Sequence, residues 1–284
     1  MIDFLIILGV VWLIFAIVQD LRKREIANWL NFSLIIFAMT YRLLYSVFSN
    51  DYGFVLTGLF GLVLFFLLAN LFYYMRLFAG GDAKLMIALG ALLPFTESFY
   101  TNSLIFFVFV IALLLGGVVY SLIYSLGLVF INKTNFTRSL KHQIAKNENY
   151  IYLGLGIGLL FIILALFLGE VSVIFLGVLI MLIPLFYIYT KAIETSCMMV
   201  YIDPKNVSVG DWVVEEIKLP GKKTIKPHWE GLSEEQVSLI KKYYKKKVLV
   251  KQGIPFSPSF FLAFLVLIYV KYFNFGNWNY PFGF

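Results

Sequence analysis

Eight apolar runs recur along this chain, at about 4–20, 29–48, 54–76, 77–94, 103–130, 151–168, 171–192 and 254–275. Most approach the ~20 residues that a helix needs to cross a bilayer. In hydrocarbon every backbone N–H and C=O must be paired within the protein, so runs of this length fold as helices. Hydrophobic residues make up 61% of the chain and charged ones only 14%, where a soluble domain carries about a quarter. The pattern predicts an all-α polytopic membrane protein of about eight transmembrane helices.

The fourth run is the weakest, because only Leu85 to Pro94 is purely apolar. It reads as a crossing or as a re-entrant loop until charge is considered. If all eight runs cross, every Lys and Arg except Arg42 and Lys271 falls on one side. Short basic loops stay in the cytoplasm. This arrangement therefore predicts a plasma-membrane protein with both termini outside. The net charge of +7 is then a topology signal and not a nucleic-acid footprint. The first run precedes Asp20-Leu21-Arg22-Lys23-Arg24 without a small-residue cleavage site, so it reads as a retained span.

These runs divide the chain into a membrane domain (1–199), a cytoplasmic soluble insert (200–253), and a last helix with a short tail (254–284). The insert reads as small α+β. Val209 to Val214 predict a turn into a strand, and Val248 to Val250 a partner strand. Ser233 and Gln236 predict a capping box for a helix over 234–246. Cys197 is the single cysteine, which excludes an intramolecular disulfide and a four-cysteine zinc module. His142 and His228 have no metal-ligand spacing, so neither a metal nor a cofactor is assigned. Gly116-Gly117 and Gly154, Gly156 and Gly158 lie within apolar runs, where close helix packing explains them.

Two carboxylates stand at run ends. Asp20 closes the first run, and Asp82 follows Gly80-Gly81 at the start of the purely apolar part of the fourth. With eight spans both lie at the cytoplasmic leaflet. Burying a charge there costs roughly 2.5–3.5 kcal/mol or more, which argues for use. A close carboxylate pair shares a proton, so one can activate water while the other polarises a peptide carbonyl. Gly80 and Gly81 are expected to supply positive φ and close backbone approach for an extended substrate. Lys84 reads as an interfacial anchor or as a group that tunes Asp82. Asn28 reads as a loop-positioning residue or as a helix N-cap. Taken singly, Asp20 also reads as a solvated helix-end charge and Asp82 as a cap. Helix-end dipoles favour Asp82 as the ionised base and Asp20 as the protonated acid, although Arg22, Lys23 and Arg24 oppose that order.

The motifs around these acids resemble a known family. Asp20-Leu21-Arg22-Lys23-Arg24-Glu25-Ile26-Ala27-Asn28-Trp29 resembles the D-x5-I-x-N segment of type IV prepilin peptidases. Gly80-Gly81-Asp82-Ala83-Lys84-Leu85 resembles their G-x-G-D-x-K segment, with Ala79 in place of the first glycine. Gly231 to Gln236 and Gly253 to Ser259 look like the tail of archaeal preflagellin and prepilin peptidases. The resemblance implies a membrane aspartyl endopeptidase in which Asp20 and Asp82 are catalytic. Its partners would be pilin-like or archaellin precursors and the lipid bilayer, with no nucleic acid. Cleavage would remove a short basic leader, often ending in Gly, on the cytoplasmic side of a hydrophobic helix. The zinc domain and N-methyltransferase activity of bacterial relatives are not expected. For docking a basic leader, Glu25 and Glu194 are the acids that suit best.

Two rival readings stand beside it. A presenilin-like or signal-peptide-peptidase-like protease would carry a late Pro-Ala-Leu motif, whereas here Pro255 precedes Phe256 and Ser257. An ion-coupled transporter would hold its acids at mid-membrane on broken helices within internal repeats.

Overall fold

The computed structural model describes residues 2–93, 95–96, 98–219 and 224–271. Pro94 and 272–275, the ends of two apolar runs, lie outside the described residues. The chain divides into two compact units: Met1–Ile123 with Ile254–Phe284, and Tyr124–Gly253.

The first unit contains α1 (Ile2–Lys23), α2 (Asn28–Ser49), α3 (Gly53–Tyr74), α4 (Gly80–Leu92), the first part of α5 (Phe99–Ile131) and α10 (Ser257–Tyr269). Its core joins Leu13 and Ala16 of α1, Leu30 and Leu34 of α2, Phe65 of α3, and Phe260 and Phe264 of α10. α4 lies within that core, with Ala83, Leu85, Met86 and Ala88 to Leu92 all buried. A helix apolar on every side must be surrounded by protein or lipid, and here protein surrounds it.

Among the described residues, six helices are long and apolar enough to cross a membrane: α1, α2, α3, α5, α7 and α8. The chain is therefore a multi-pass membrane protein. α4 and α10 each have 13 described residues, a rise of about 20 Å, against a hydrocarbon core of about 30 Å. Among the described residues, the count of eight spans is accordingly not reached by helix length.

The short α4 ends against protein, and that end is closed by Arg42. Its guanidinium is 0% exposed. Nε donates to the Ala91 carbonyl at 2.9 Å, Nη2 to that of Leu92 at 3.1 Å, and Nη1 to that of Phe54 at 3.1 Å. The Phe54 ring lies 4.4 Å from the guanidinium carbon. The last carbonyls of a helix have no intrahelical partner, and a planar five-donor fork satisfies several together. Arg42 is thus a buried helix clamp, not the outward-facing topology charge expected from the sequence.

Glycine sets the approach of α3 to α4. A Cβ at Gly90 would stand 2.6 Å from the Gly61 carbonyl oxygen and 2.5 Å from Phe65 Cβ. Gly90→Ala should therefore force the helices apart, at about 1–3 kcal/mol. Thermal unfolding in detergent would register this as a lowered midpoint. Gly156→Ala is the control, since nothing lies within 4 Å of its Cβ position, and an unchanged midpoint for Gly90→Ala would refute the packing argument.

The second unit begins with the end of α5. It continues through α6 (Lys133–Lys146), α7 (Glu148–Leu168), α8 (Val171–Ile193) and a π-helical turn, Glu194–Met198. α7 and α8 meet at glycines: a Cβ on Gly158 would lie 2.6 Å from the Gly177 carbonyl oxygen, and one on Gly177 2.8 Å from that of Gly158. Gly156 faces open space and takes no part.

The polar insert then forms β1 (Met199–Ile202), β2 (Trp212–Val213), β3 (Ile217–Lys218), β4 (Thr224–Ile225), α9 (Glu234–Tyr243) and β5 (Val248–Lys251). β5 is central in an antiparallel sheet of order β1-β5-β2, with Val213 opposite Val250, and β3 pairs with β4. Ser233 caps α9 as expected: its Oγ accepts from Gln236 N–H at 3.3 Å, and Gln236 Oε1 accepts from Ser233 N–H at 3.0 Å. The helix stops at Tyr243 rather than 246, because Tyr244 is already extended and leads towards β5.

Candidate active site

Asp20 is the polar end of the buried stripe of α1. Leu13, Ala16 and Asp20 follow helical spacing and are all buried, Asp20 to 6% exposure. α1 stops three residues later, and Arg24 then takes a positive φ of 55° while its N–H reaches the Asp20 carbonyl at 2.8 Å. The side chain does not turn to solvent as a helix-end charge would. Its Oδ2 accepts the Ser257 backbone N–H at 3.0 Å, at the first residue of α10.

Asp82 sits in the first turn of α4 and is half-buried. Its Oδ2 accepts the Ala79 backbone N–H at 3.3 Å, so it does cap its helix. That occupation leaves carboxylate lone pairs for other work. Asp82 lies within reach of the charge of the Asp20 carboxylate. Residues distant in sequence thus converge on one end of the first unit.

Both acids accept a backbone N–H at a helix N-terminus, one from the turn before its own helix and one from α10. The helix-end contrast that favoured Asp82 as base and Asp20 as acid is removed by the α10 contact.

The flanking residues were legible in identity but not in conformation. Gly80 and Gly81 open α4 in helical geometry, and neither has a positive φ. A Cβ on Gly81 would meet Ile26 at ordinary contact distance, from 3.6 Å, and one on Gly80 only Tyr73 at 4.0 Å. Their contribution is a bare helical turn beside Asp82, not a left-handed bend. Lys84 Nζ donates to Asn28 Oδ1 at 2.7 Å, tying the first turn of α4 to that of α2. Asn28 is the first residue of α2 and not its N-cap, which is Ala27. The Ala27 N–H is itself held by Gln19 Oε1 at 3.0 Å.

Glu194 is already engaged, with Lys191 at 2.8 Å and Lys251 at 2.9 Å, which removes the basis for giving it a docking role. Glu25 is exposed. Two buried polar residues have no role assigned from the sequence. Among the described residues, neither amide atom of Asn31, one helical turn beyond Asn28, is hydrogen-bonded, and the Ser257 hydroxyl has no hydrogen-bond partner. A Ser between Phe256 and Pro258 signals a helix start, but nothing local pairs it with Asp20.

Comparison with known proteins bears on this same region. Residues 7–132 match the Type IV leader peptidase family. The preflagellin peptidase of Methanococcus maripaludis (strain C6) is 35% identical over 97 residues, 34% of this chain and 42% of the relative. That of Methanocaldococcus jannaschii is 35% identical over 94 residues, 33% of this chain and 39% of the relative. The match thus spans about two fifths of the length of these curated relatives. No solved structure matches the chain. The part of the chain similar to the type IV leader peptidase family, residues 7–132, contains both Asp20 and Asp82.

Proposed function

We propose that the protein is a membrane aspartyl endopeptidase that removes short basic leader peptides from pilin-like or archaellin-like precursors at the cytoplasmic face. The observation that carries this reading is a buried Asp20 within charge reach of Asp82, both at helix ends. One carboxylate takes a proton from water as its oxygen adds to the scissile carbonyl, while the protonated partner donates to the carbonyl oxygen. The tetrahedral diol then collapses with a proton passing to the leaving amine nitrogen. The chain's own residues supply both proton-transfer groups, and the bare Gly80-Gly81 turn leaves room for substrate backbone. The family match and the preflagellin peptidase relatives support leader cleavage as the reaction. With a single cysteine in the chain, peptidase activity alone is proposed.

The test uses the purified protein in liposomes with a precursor whose basic leader ends in Gly before a hydrophobic helix. Mass spectrometry should find a mature chain starting directly after the leader. The rate should follow a bell-shaped pH profile, because a coupled pair is active only with one proton between its members. Failure to cleave precursors of this class, together with proton or sodium uptake into the same liposomes, would replace this reading with the transporter.

A further inference from the structure

Ser257 opens α10 where the segments bearing the two aspartates come together. Its backbone N–H holds Asp20 Oδ2 at 3.0 Å. On its other side, Phe256 and Phe260 pack against Phe78, at ring separations of 5.6 and 5.7 Å. Phe78 lies just before Gly80, so α10 touches both the end of α1 and the entry to α4. The Ser257 hydroxyl is 0% exposed and has no hydrogen-bond partner among the described residues. The hydroxyl belongs to the same residue whose N–H holds the Asp20 carboxylate. A buried hydroxyl without a partner weakens a fold, so its presence calls for another reason.

We infer that Ser257 is a third member of the proposed aspartyl site. Its N–H positions Asp20, and its hydroxyl donates a hydrogen bond to the attacking water and to the oxygen which that water becomes in the tetrahedral diol. No bond to the serine forms or breaks. The donor is idle in the resting structure and is used only in the reacting complex, where a preorganised donor acts on the rate rather than on substrate affinity. Ser259 supplies an internal comparison. Its hydroxyl is also 0% exposed and unpaired among the described residues, but there it is the Ser257 and Ala79 N–H groups, not Ser259, that hydrogen-bond the aspartates.

This inference rests on the aspartyl reading, so the experiment runs Asp20→Asn and Asp82→Asn alongside. Steady-state cleavage of the basic-leader precursor is measured for wild type, Ser257→Ala, Ser257→Cys and Ser259→Ala, with Tm for each. Ser257→Ala should lose roughly 10²-fold in kcat, the scale of one removed oxyanion-type donor, with KM unchanged. Its Tm should equal or exceed that of wild type, because an orphaned hydroxyl has been removed. Ser257→Cys, a weaker donor of similar size, should fall between. Ser259→Ala should keep wild-type kcat with an equal or higher Tm. Wild-type kcat in Ser257→Ala would overturn the inference. So would a Tm that falls together with activity, since the hydroxyl would then belong to the fold. If the two aspartate variants still cleave, the aspartyl reading itself fails and takes this inference with it. If they are inactive while Ser257→Ala is not, only the inference falls.

Discussion

Cleavage should fall by about 10²–10⁴-fold in Asp20→Asn and again in Asp82→Asn, the range that general acid–base groups supply. Asparagine keeps the size of the side chain but neither takes a proton from water nor donates one from an acid. Its amide would also place a donor where Asp20 now accepts the Ser257 N–H, so the carboxamide must present its oxygen there. The two losses should not multiply. Groups that act as one unit fail together, and the double variant should cleave about as slowly as either single one. Rates measured in membranes containing equal amounts of each variant check this. A single variant with wild-type rate, or a double variant at the product of the two losses, would break the shared-proton description.

The second large effect concerns stability. Arg42→Met should destabilise the first unit by about 2–6 kcal/mol, at about 1–3 for each of the two α4 carbonyls left buried and unpaired. Methionine fills much of the space but returns none of the donors to Ala91 and Leu92. Arg42→Lys should recover only part of the loss, because a point-like ammonium cannot bridge the carbonyls of α4 and Phe54 as a planar fork does. Chemical unfolding in detergent micelles provides the measurement. A methionine variant as stable as wild type would mean that water or backbone shifts satisfy those carbonyls instead.

How far the sequence could be read follows from the range of each interaction. Apolar run length is a local property, and the six long helices lie where the runs are. The Ser233–Gln236 cap is equally local, and the facing of Val213 with Val250 follows from strand patterning. Run length does not distinguish a lipid-facing helix from one enclosed by protein, so α4 looks like a span. For the same reason Arg42 looks like an outward-facing charge until Ala91 and Leu92 are seen to accept from it. β1 was hidden because Met199–Ile202 follows α8 through a π-helical turn, with no Gly or Pro to mark the change. Gly80-Gly81 suggests a bend by composition, yet the pair enters the helix because Asp82 caps it from within. The candidate site shows the same division. Asp20, Asp82, Lys84 and Asn28 are identifiable by type and spacing, but the Lys84–Asn28 contact is a tertiary fact. The Ser257–Asp20 contact spans most of the chain, and no local pattern encodes it.

α4 is fastened to α2 twice, by Lys84 to Asn28 near its start and by Arg42 to Ala91 and Leu92 at its end. Between these fastenings the number of residues acts as a gauge. One residue added or removed there would shift Asp82 by about 1.5 Å along the axis and turn it by about 100°. Either displacement exceeds what the proposed sharing of a proton with Asp20 tolerates. Substitutions within the apolar stretch can be absorbed by repacking, but a change in its length cannot. Natural variation along α4 should therefore appear as exchange of side chains, with insertions and deletions confined to the connections on either side of it.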